Sequence, residues 1–434
     1  MRSNFKTVAL STMMMACLMA AGAASAQIAV GGGATLPEPL YKDLLPSGVG
    51  STNYTYTGTG SGAGKKAFLQ NNAQATVGSE FRNESLAARP IWATTQSVHF
   101  AGSDSVLTAA ERDAYKLAHI ESSPGVPVTG AAAWGPLIQI PAVGAAVLIP
   151  YKSSTTSAIS SLNLPDAKMC AVFSKTSGGR TWGELLGTTD TTPIQVVYRN
   201  ETSGTTELLA RYLMAACPTS GFVFSNNFRT VVAGALPAGT PQPRLSTAPA
   251  DPAADAIWTF VDGNGVMATS FTTAGRIGYL SPDVAFNPTN ATLVATVNGF
   301  APVASSIKTA LASQTLPLGG ASTDPLAWVP AYVKPPVSGT GASYPIFGTT
   351  NLLVNQCYKD PAITTKVRNF LARLYVPSPL VASHGFVALP DGTGVAGSNA
   401  NWKSAIQTTF LSTTAALGIG NTNVCNGIGR PVSN

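Results

Sequence analysis

Three stretches of this chain repeat one plan: an extended run, a turn of glycine and small polar residues, then a helical pattern. That plan points to an α/β architecture and puts backbone N–H groups without intrahelical partners at the start of each helix. The clearest case is residues 194–217. Ile194 to Tyr198 is a β-branched, apolar run, and Leu208, Leu209, Tyr212, Leu213 and Ala216 share one helical face. Ser203 or Gly204 stands where an N-cap belongs, and Glu207 follows in the first turn. A helix start of this kind carries partial positive charge and suits phosphate or sulfate. Arg199, just before the turn, can add a fork of donors to the same anion. Taken alone, the stretch also fits an ordinary capped helix with a surface arginine.

The second unit runs from Ile28-Ala29-Val30 through Gly31-Gly32-Gly33-Ala34-Thr35-Leu36 into Pro37-Glu38-Pro39-Leu40-Tyr41, where proline suits a first helical turn. The third has Tyr54 to Thr57 as a strand, a glycine-rich turn from Gly58 to Lys66, and a short helical run Ala67-Phe68-Leu69. It contains G-x-G-x-x-A, but no full βαβ unit with an acidic ribose ligand follows. It is not a Walker loop, because Thr59 stands where the first glycine is needed and Lys66 replaces the Ser/Thr. Lys65 and Lys66 read as solvated. A further strand, Ser97 to Ala101, ends in Gly102-Ser103-Asp104-Ser105. A carboxylate beside anion-type turns makes sense if the ligand carries a proton, since an ionised carboxylate only accepts hydrogen bonds and so rejects sulfate. The plainer reading is a turn or N-cap aspartate ahead of a helix from Thr108.

The chain has 434 residues, of which 45% are hydrophobic and 11% charged, enough for two or three domains with a large core. Residues 1–26 read as a secretory leader: Arg2 and Lys6, an apolar stretch from Val8, and Ala24-Ser25-Ala26 ahead of Gln27. No later apolar run is long enough to span a bilayer. Without Arg2 and Lys6 the chain keeps 24 basic against 20 acidic residues and shows no basic run, so nucleic acid is not expected as a partner. Cys170, Cys217, Cys357 and Cys425 remain after the leader, an even number suited to an oxidising compartment. Three pairings are possible, and local closure favours Cys170–Cys217 with Cys357–Cys425. Their wide spacings do not suit a metal, and no metal or other cofactor is expected.

Elsewhere, Leu137 to Pro141 and Gly144 to Ile149 read as buried strands that could cross between domains, and Arg276 to Leu280 as a strand returning. Leu164 to Phe173, Thr365 to Tyr375 and Trp402 to Leu411 read as helices, residues 178–182 and 232–254 as loops, and residues 286–345 as strands and loops decorating a core.

Together these residues resemble the periplasmic phosphate-binding proteins of bacterial ABC importers. Gly33-Ala34-Thr35-Leu36-Pro37, Gly60-Ser61-Gly62, Ser103-Asp104, Arg199 with Ser203-Gly204-Thr205, and Ile277-Gly278-Tyr279 follow that family's order. More narrowly the chain is similar to the DING branch, through Gly31 to Leu36, Gly60 to Leu69, Ala101 to Ser105, Val197 to Leu208, Ser343-Tyr344-Pro345-Ile346 and the four cysteines. It departs at the N-terminus, where Ile28-Ala29-Val30-Gly31 replaces the branch's Asp-Ile-Asn-Gly, and in inserts near 122–131 and 386–399.

The resemblance implies a type II periplasmic-binding-protein fold: two α/β lobes, each a mixed sheet flanked by helices, with a ligand cleft between them and two hinge crossings near 145–150 and 279–284. Lobe 1 would hold 27–146 plus 285–434, and lobe 2 would hold 147–284. The ligand would be one inorganic phosphate. Thr35 and Ser61 would give hydroxyls, Leu36 a backbone N–H, Asp104 would accept a hydrogen bond from the ligand's proton, Arg199 would neutralise charge, and Ser203, Gly204 and Thr205 would use the helix start. The implied pairing of cysteines is again 170 with 217 and 357 with 425. The expected function is extracytoplasmic phosphate binding for uptake or scavenging by a periplasmic or secreted monomer, with an ABC importer permease as a possible partner. The alternative is a DING-like alkaline phosphatase hydrolysing phosphate monoesters in the same cleft, with Ser61 or Thr205 as the suspected nucleophile. His99, His119 and His384 lack metal-ligand spacing, and there is no G-x-S-x-G elbow.

Overall fold

The computed structural model describes residues 27–282, 287–314, 324, 327–391 and 401–433. The expected leader and most of the 386–399 insert lie outside them. Two mixed sheets, each flanked by helices, carry the fold. The first contains β1 (Ala29–Gly33), β2 (Tyr54–Gly58), β3 (Phe100–Ser103) and β4 (Leu137–Ala146). The second contains β5 (Tyr151–Lys152), β6 (Gln195–Arg199), β7 (Trp258–Val261) and β8 (Arg276–Gly278). A ninth strand, β9 (Phe347–Asn355), returns to the first sheet.

In the first sheet the order is β2-β1-β3-β9-β4. β1 runs parallel to β2 and β3, and β9 runs antiparallel to β3 and β4. Gly33 is in register with both Gly58 and Gly102, so the three parallel strands end level. In the second sheet the order is β7-β6-β8-β5, with β6 parallel to β7 and β8. Arg199 is in register with Val261. Turns at the carboxyl ends of parallel strands are where open α/β sheets bind ligands. Residues 34–37, 59–60, 104–107 and 200–203 all occupy such positions.

The chain passes from the first sheet to the second through residues 147–150, and these pair with the segment leaving β8: Leu148 and Leu280 exchange backbone hydrogen bonds of 2.8 and 2.9 Å. The Tyr344 hydroxyl donates to the Val147 carbonyl at 2.7 Å, pinning the crossing to the segment just before β9. Disulfides join Cys170 to Cys217 and Cys357 to Cys425, the pairing expected from local closure.

Several local expectations need correction. The run 58–66 is not a turn leading into a short helix: α2 (Ser61–Leu69) follows α1 (Glu38–Leu44) and begins at Ser61, taking both glycines into its first turns. Helix propensity disfavours them, but packing requires at least one. A Cβ on Gly64 would stand 2.3 Å from the Gly33 Cα, so only glycine lets this helix lie on β1. Lys65 is not solvated. It is buried, with Nζ donating at 3.0 Å to both the Val106 carbonyl and Glu111 Oε2; Lys66 is exposed as expected. Residues 178–182 lead into a helix at Trp182–Leu186, and the 232–254 loop is bounded by helices Phe228–Ala233 and Pro252–Asp255. A helix at Ala304–Ala312 interrupts the supposed strand-and-loop region. The helix at Trp402–Ile406 continues as a wider π-turn over Gln407–Leu411. Part of the 122–131 insert forms a small hairpin of Glu121–Ser123 with Val126–Pro127.

Gly64→Ala is expected to force α2 off β1. Overpacking of this kind costs about 1–3 kcal/mol, so the denaturant midpoint should fall; an unchanged midpoint would mean the helix can shift without cost.

Candidate functional site

The clearest anion turn matches its expected plan. β6 ends at Arg199, and Ser203 caps the helix Gly204–Ala216 with extended backbone geometry but no side-chain cap bond. Residues 204–210 of this helix are all buried, more than the one apolar face requires, because its first turn faces the other lobe. A Cβ on Gly204 would stand 2.2 Å from Asp104 Cβ and 2.6 Å from Ser61 Oγ. One on Gly62 would stand 2.8 Å from Thr202 Oγ1. Glycine at 204 therefore allows the helix start to approach the carboxyl-end turns of the first sheet.

Asp104 is buried and follows β3 directly. It is not the N-cap of the next helix: Thr108 is, in a capping box with Glu111. The Ser61 hydroxyl accepts from the Asp104 N–H at 3.0 Å and donates to Asp104 Oδ2 across a long 3.4 Å. Oδ1 meets no well-aligned donor, although the Thr350 hydroxyl lies close enough to act on the charge. Burial pushes the carboxyl up to about 7; Glu207 adds to the rise, while Thr350, Ser61 and Arg199 oppose it. Neighbouring strands hold this turn. Asn351 Nδ2 donates to the Ser103 carbonyl at 3.0 Å, and Gln139 Oε1 accepts from the Leu107 N–H at 2.8 Å.

Arg199 is fully buried. Its Nε donates to Glu201 Oε1 at 2.5 Å, Nη1 to Asn264 Oδ1 at 2.6 Å, and Nη2 across the cleft to Thr35 Oγ1 at 3.2 Å. Glu201 Oε1 also accepts from the Gly263 N–H at 2.9 Å. The Tyr279 hydroxyl accepts from the Arg199 N–H at 3.0 Å and bonds Thr206 Oγ1 at 2.7 Å, fixing where β6 gives way to the helix. Beside these groups lies a polar cavity of about 380 Å³ whose lining includes Thr35, Gly60, Arg82, Glu201 and Asp262.

Direct contacts thus join Thr35 to Arg199, and Ser61 to Asp104 and Gly204. Ser203 and Thr205 flank Gly204 and are buried; Leu36 is buried one residue beyond Thr35. Glu201, Asn264, Thr350, Asn351 and Gln139 were not anticipated. The last two had a signal, as polar residues inside apolar strand runs, where burial demands a partner. His99 serves β1: its Nδ1 accepts from the Val30 N–H at 2.9 Å, and burial pushes it down to about 3, so it stays neutral. Among the described residues no His, Cys, Asp and Glu groups gather as a metal site, and no helix is long and apolar enough to cross a membrane.

Residues 20–375 match the PBP superfamily domain. A solved phosphate-binding protein from Stenotrophomonas maltophilia is 32% identical, with a TM-score of 0.72 over 93% of this chain and 99% of that one. A high affinity periplasmic phosphate-binding protein (PfluDING) bound with phosphate is 36% identical, with a TM-score of 0.71 and the same coverage. The chain belongs to the PBP superfamily, in its DING-like branch. Relatives of this superfamily member carry two kinds of name. "Alkaline phosphatase L" of Pseudomonas aeruginosa is 39% identical over 414 residues, 94% of this chain and 95% of that protein. A "Phosphate-binding protein" from an unknown prokaryotic organism is 37% identical over 431 residues, 92% of this chain and 99% of that one.

A test follows from the raised Asp104 value. Between an ordinary 3.8 and about 7, the phosphate-free folded protein holds a proton that the unfolded chain has released. Stability therefore falls as pH rises through that window and levels off above it. The slope contributed should approach about 1.4 kcal/mol per pH unit and disappear in Asp104→Asn. Denaturant midpoints measured from about pH 4 to 8 compare the two proteins; parallel profiles would place the Asp104 carboxyl in the ordinary range.

Proposed function

We propose that this chain binds one inorganic phosphate between its lobes, as an extracytoplasmic protein of phosphate uptake or scavenging. The reading rests above all on Asp104: a buried carboxyl facing a helix N-terminus and a buried arginine makes sense if the ligand is an anion that still carries a proton. The carboxylate accepts that proton's hydrogen bond, while Arg199 and the N–H groups of Gly204 and Thr205 supply donors to the unprotonated oxygens. Thr35, Leu36, Ser61 and Ser203 complete the proposed ligand set. Sulfate, fully ionised, has no proton for Asp104 and meets its charge instead. Glu201 already compensates Arg199, so the arginine's charge is tolerated in the absence of ligand and its orientation is set beforehand.

Micromolar binding needs about 8 kcal/mol, within reach of several charge-assisted hydrogen bonds in a closed cleft. In this reading 27–146 plus 285–434 form one lobe and 147–284 the other, hinged where Leu148 pairs with Leu280. The protein acts as a periplasmic or secreted monomer that can hand its ligand to an ABC importer permease. The relatives named alkaline phosphatase make ester hydrolysis the second reading, in which Ser61, beside a carboxyl titrating near neutrality, has the arrangement of a nucleophile and base.

Calorimetric titration of phosphate into stripped protein, with sulfate as competitor and an aryl phosphate monoester in parallel, separates the two. Tight one-to-one binding, indifferent to sulfate and without ester turnover, is the expected result. Turnover that disappears in Ser61→Ala would replace it with the second reading. Arg199→Ala should weaken phosphate by about 2–5 kcal/mol, because it removes a buried charged donor and leaves Glu201 unpaired. Near-native affinity in that variant would remove Arg199 from the ligand set.

A further inference from the structure

The helix Gly204–Ala216 has a second face, turned away from its buried row of Leu208, Leu209, Tyr212 and Leu213. Arg211, Met214 and Ala215 share that face at i, i+3 and i+4. An outward helix face is ordinarily polar, yet here Met214 is 40% exposed and Ala215 is exposed beside it. Both border a cavity of about 580 Å³, closed on its other sides by Phe224, by Val106 and Leu107 after β3, and by residues 329–332 ahead of β9. The cavity thus lies between elements of the two sheets. Arg211 is its one charged lining residue. The guanidinium lies 5.5 Å from the centre of the Phe224 ring, itself 46% exposed, so the charge stands at the cavity wall. Nη2 donates to Glu207 Oε1 at 2.7 Å; Nε and Nη1 have no partner among the described residues. Glu207 is buried behind the arginine, one turn nearer the helix start. Other polar groups of the wall are used inside the fold. The Val106 carbonyl accepts from Lys65, the Leu107 N–H donates to Gln139 Oε1, and the Tyr332 hydroxyl donates to the Pro345 carbonyl.

We propose that this cavity is a second ligand site, which takes a small aromatic carboxylate. Apolar walls with one convergent charged group, set between packed units of a fold, are the usual make-up of a site that orients a small molecule. The ligand's ring lies against Phe224 and Met214, where ring–ring and sulfur–ring contacts favour an aromatic body over an alkyl chain. Its carboxylate accepts from the donors that Glu207 leaves free on Arg211. An uncharged apolar ligand would cover those donors without replacing their water, which is costly. A dianion would bring more charge than one shared arginine offsets. None of the lining residues is assigned to phosphate, so the site stands whether or not that assignment does.

The experiment titrates naphthoate into the full chain in phosphate buffer, which keeps the probe out of the phosphate cleft, and follows the probe's fluorescence. Naphthylmethanol, of nearly the same shape without the charge, is titrated in parallel. Naphthoate should fill one saturable site per chain and bind at least about tenfold more tightly than the alcohol, as expected for a charge-assisted pair. Ala215→Trp fills the cavity from an exposed position, where the fold tolerates it, and should weaken naphthoate by about tenfold or more. Arg211→Gln keeps a donor for Glu207 and should bring naphthoate down to the alcohol's affinity while leaving the alcohol unchanged. Absence of saturable binding at millimolar naphthoate, or an affinity indifferent to Ala215→Trp, would overturn the site. Alcohol and carboxylate binding equally well, or naphthoate indifferent to Arg211→Gln, would overturn the carboxylate assignment.

Discussion

Two buried charges of opposite sign face the same helix start, and the rest of the site is arranged around tolerating them. Taking Arg199 and Asp104 out of water is costly unless each has partners. Arg199 has them: a carboxylate, a side-chain amide and a hydroxyl take three of its five N–H donors. Asp104 is only partly provided for: Ser61 donates to Oδ2 across a long 3.4 Å, Oδ1 is without a well-aligned donor, and burial raises the carboxyl's affinity for a proton. The asymmetry gives the cleft a direction. The cation is held in place before any ligand arrives, whereas the carboxyl remains short of one hydrogen bond, which a protonated oxyanion can supply.

Backbone geometry enforces the approach that makes this possible. Three parallel strands end level at Gly33, Gly58 and Gly102–Ser103, so their following turns lie side by side. Gly64 lets α2 descend onto β1, which brings Ser61 to the Asp104 turn. Gly204 lets the opposite lobe's helix reach both. Glycine is used at each point because the contact is between backbones, and any side chain would separate the parts that must meet. The weak helix propensity of α2 is the consequence of that packing requirement.

This explains what could and could not be read from the chain. The turn at 198–207 was legible because its signal is local: a β-branched strand, a capping residue, and a 3.6-residue period. Asp104 was legible as a chemical oddity, an acid among anion-type turns. The start of α2 was not, since two glycines argue against a helix unless the opposing surface is known. Lys65 was misplaced for the same reason: its partners, the Val106 carbonyl and Glu111, lie 41 and 46 residues away. Glu201 was in view within the strongest motif, yet its pairing with Arg199 depends on Asn264 and Gly263, brought in by a different strand.

The chain's sparing use of charge sharpens the contrast between its buried cations. Lys65 is paired with the Glu111 carboxylate at 3.0 Å. Arg430 has none, but its guanidinium bonds Asn355, Asn71 and the Phe68 carbonyl and lies over the rings of Phe68 and Trp134. Burial pulls it down to about 10, opposed by Tyr115 and Tyr358, so it remains charged at neutral pH. Lys175 has one bond and one ring, and a compact ammonium cannot delocalise what they leave uncompensated. Arg430 is therefore a structural clamp whose donors are used inside the fold, while Lys175 is a buried amine held by a single hydrogen bond and one aromatic face.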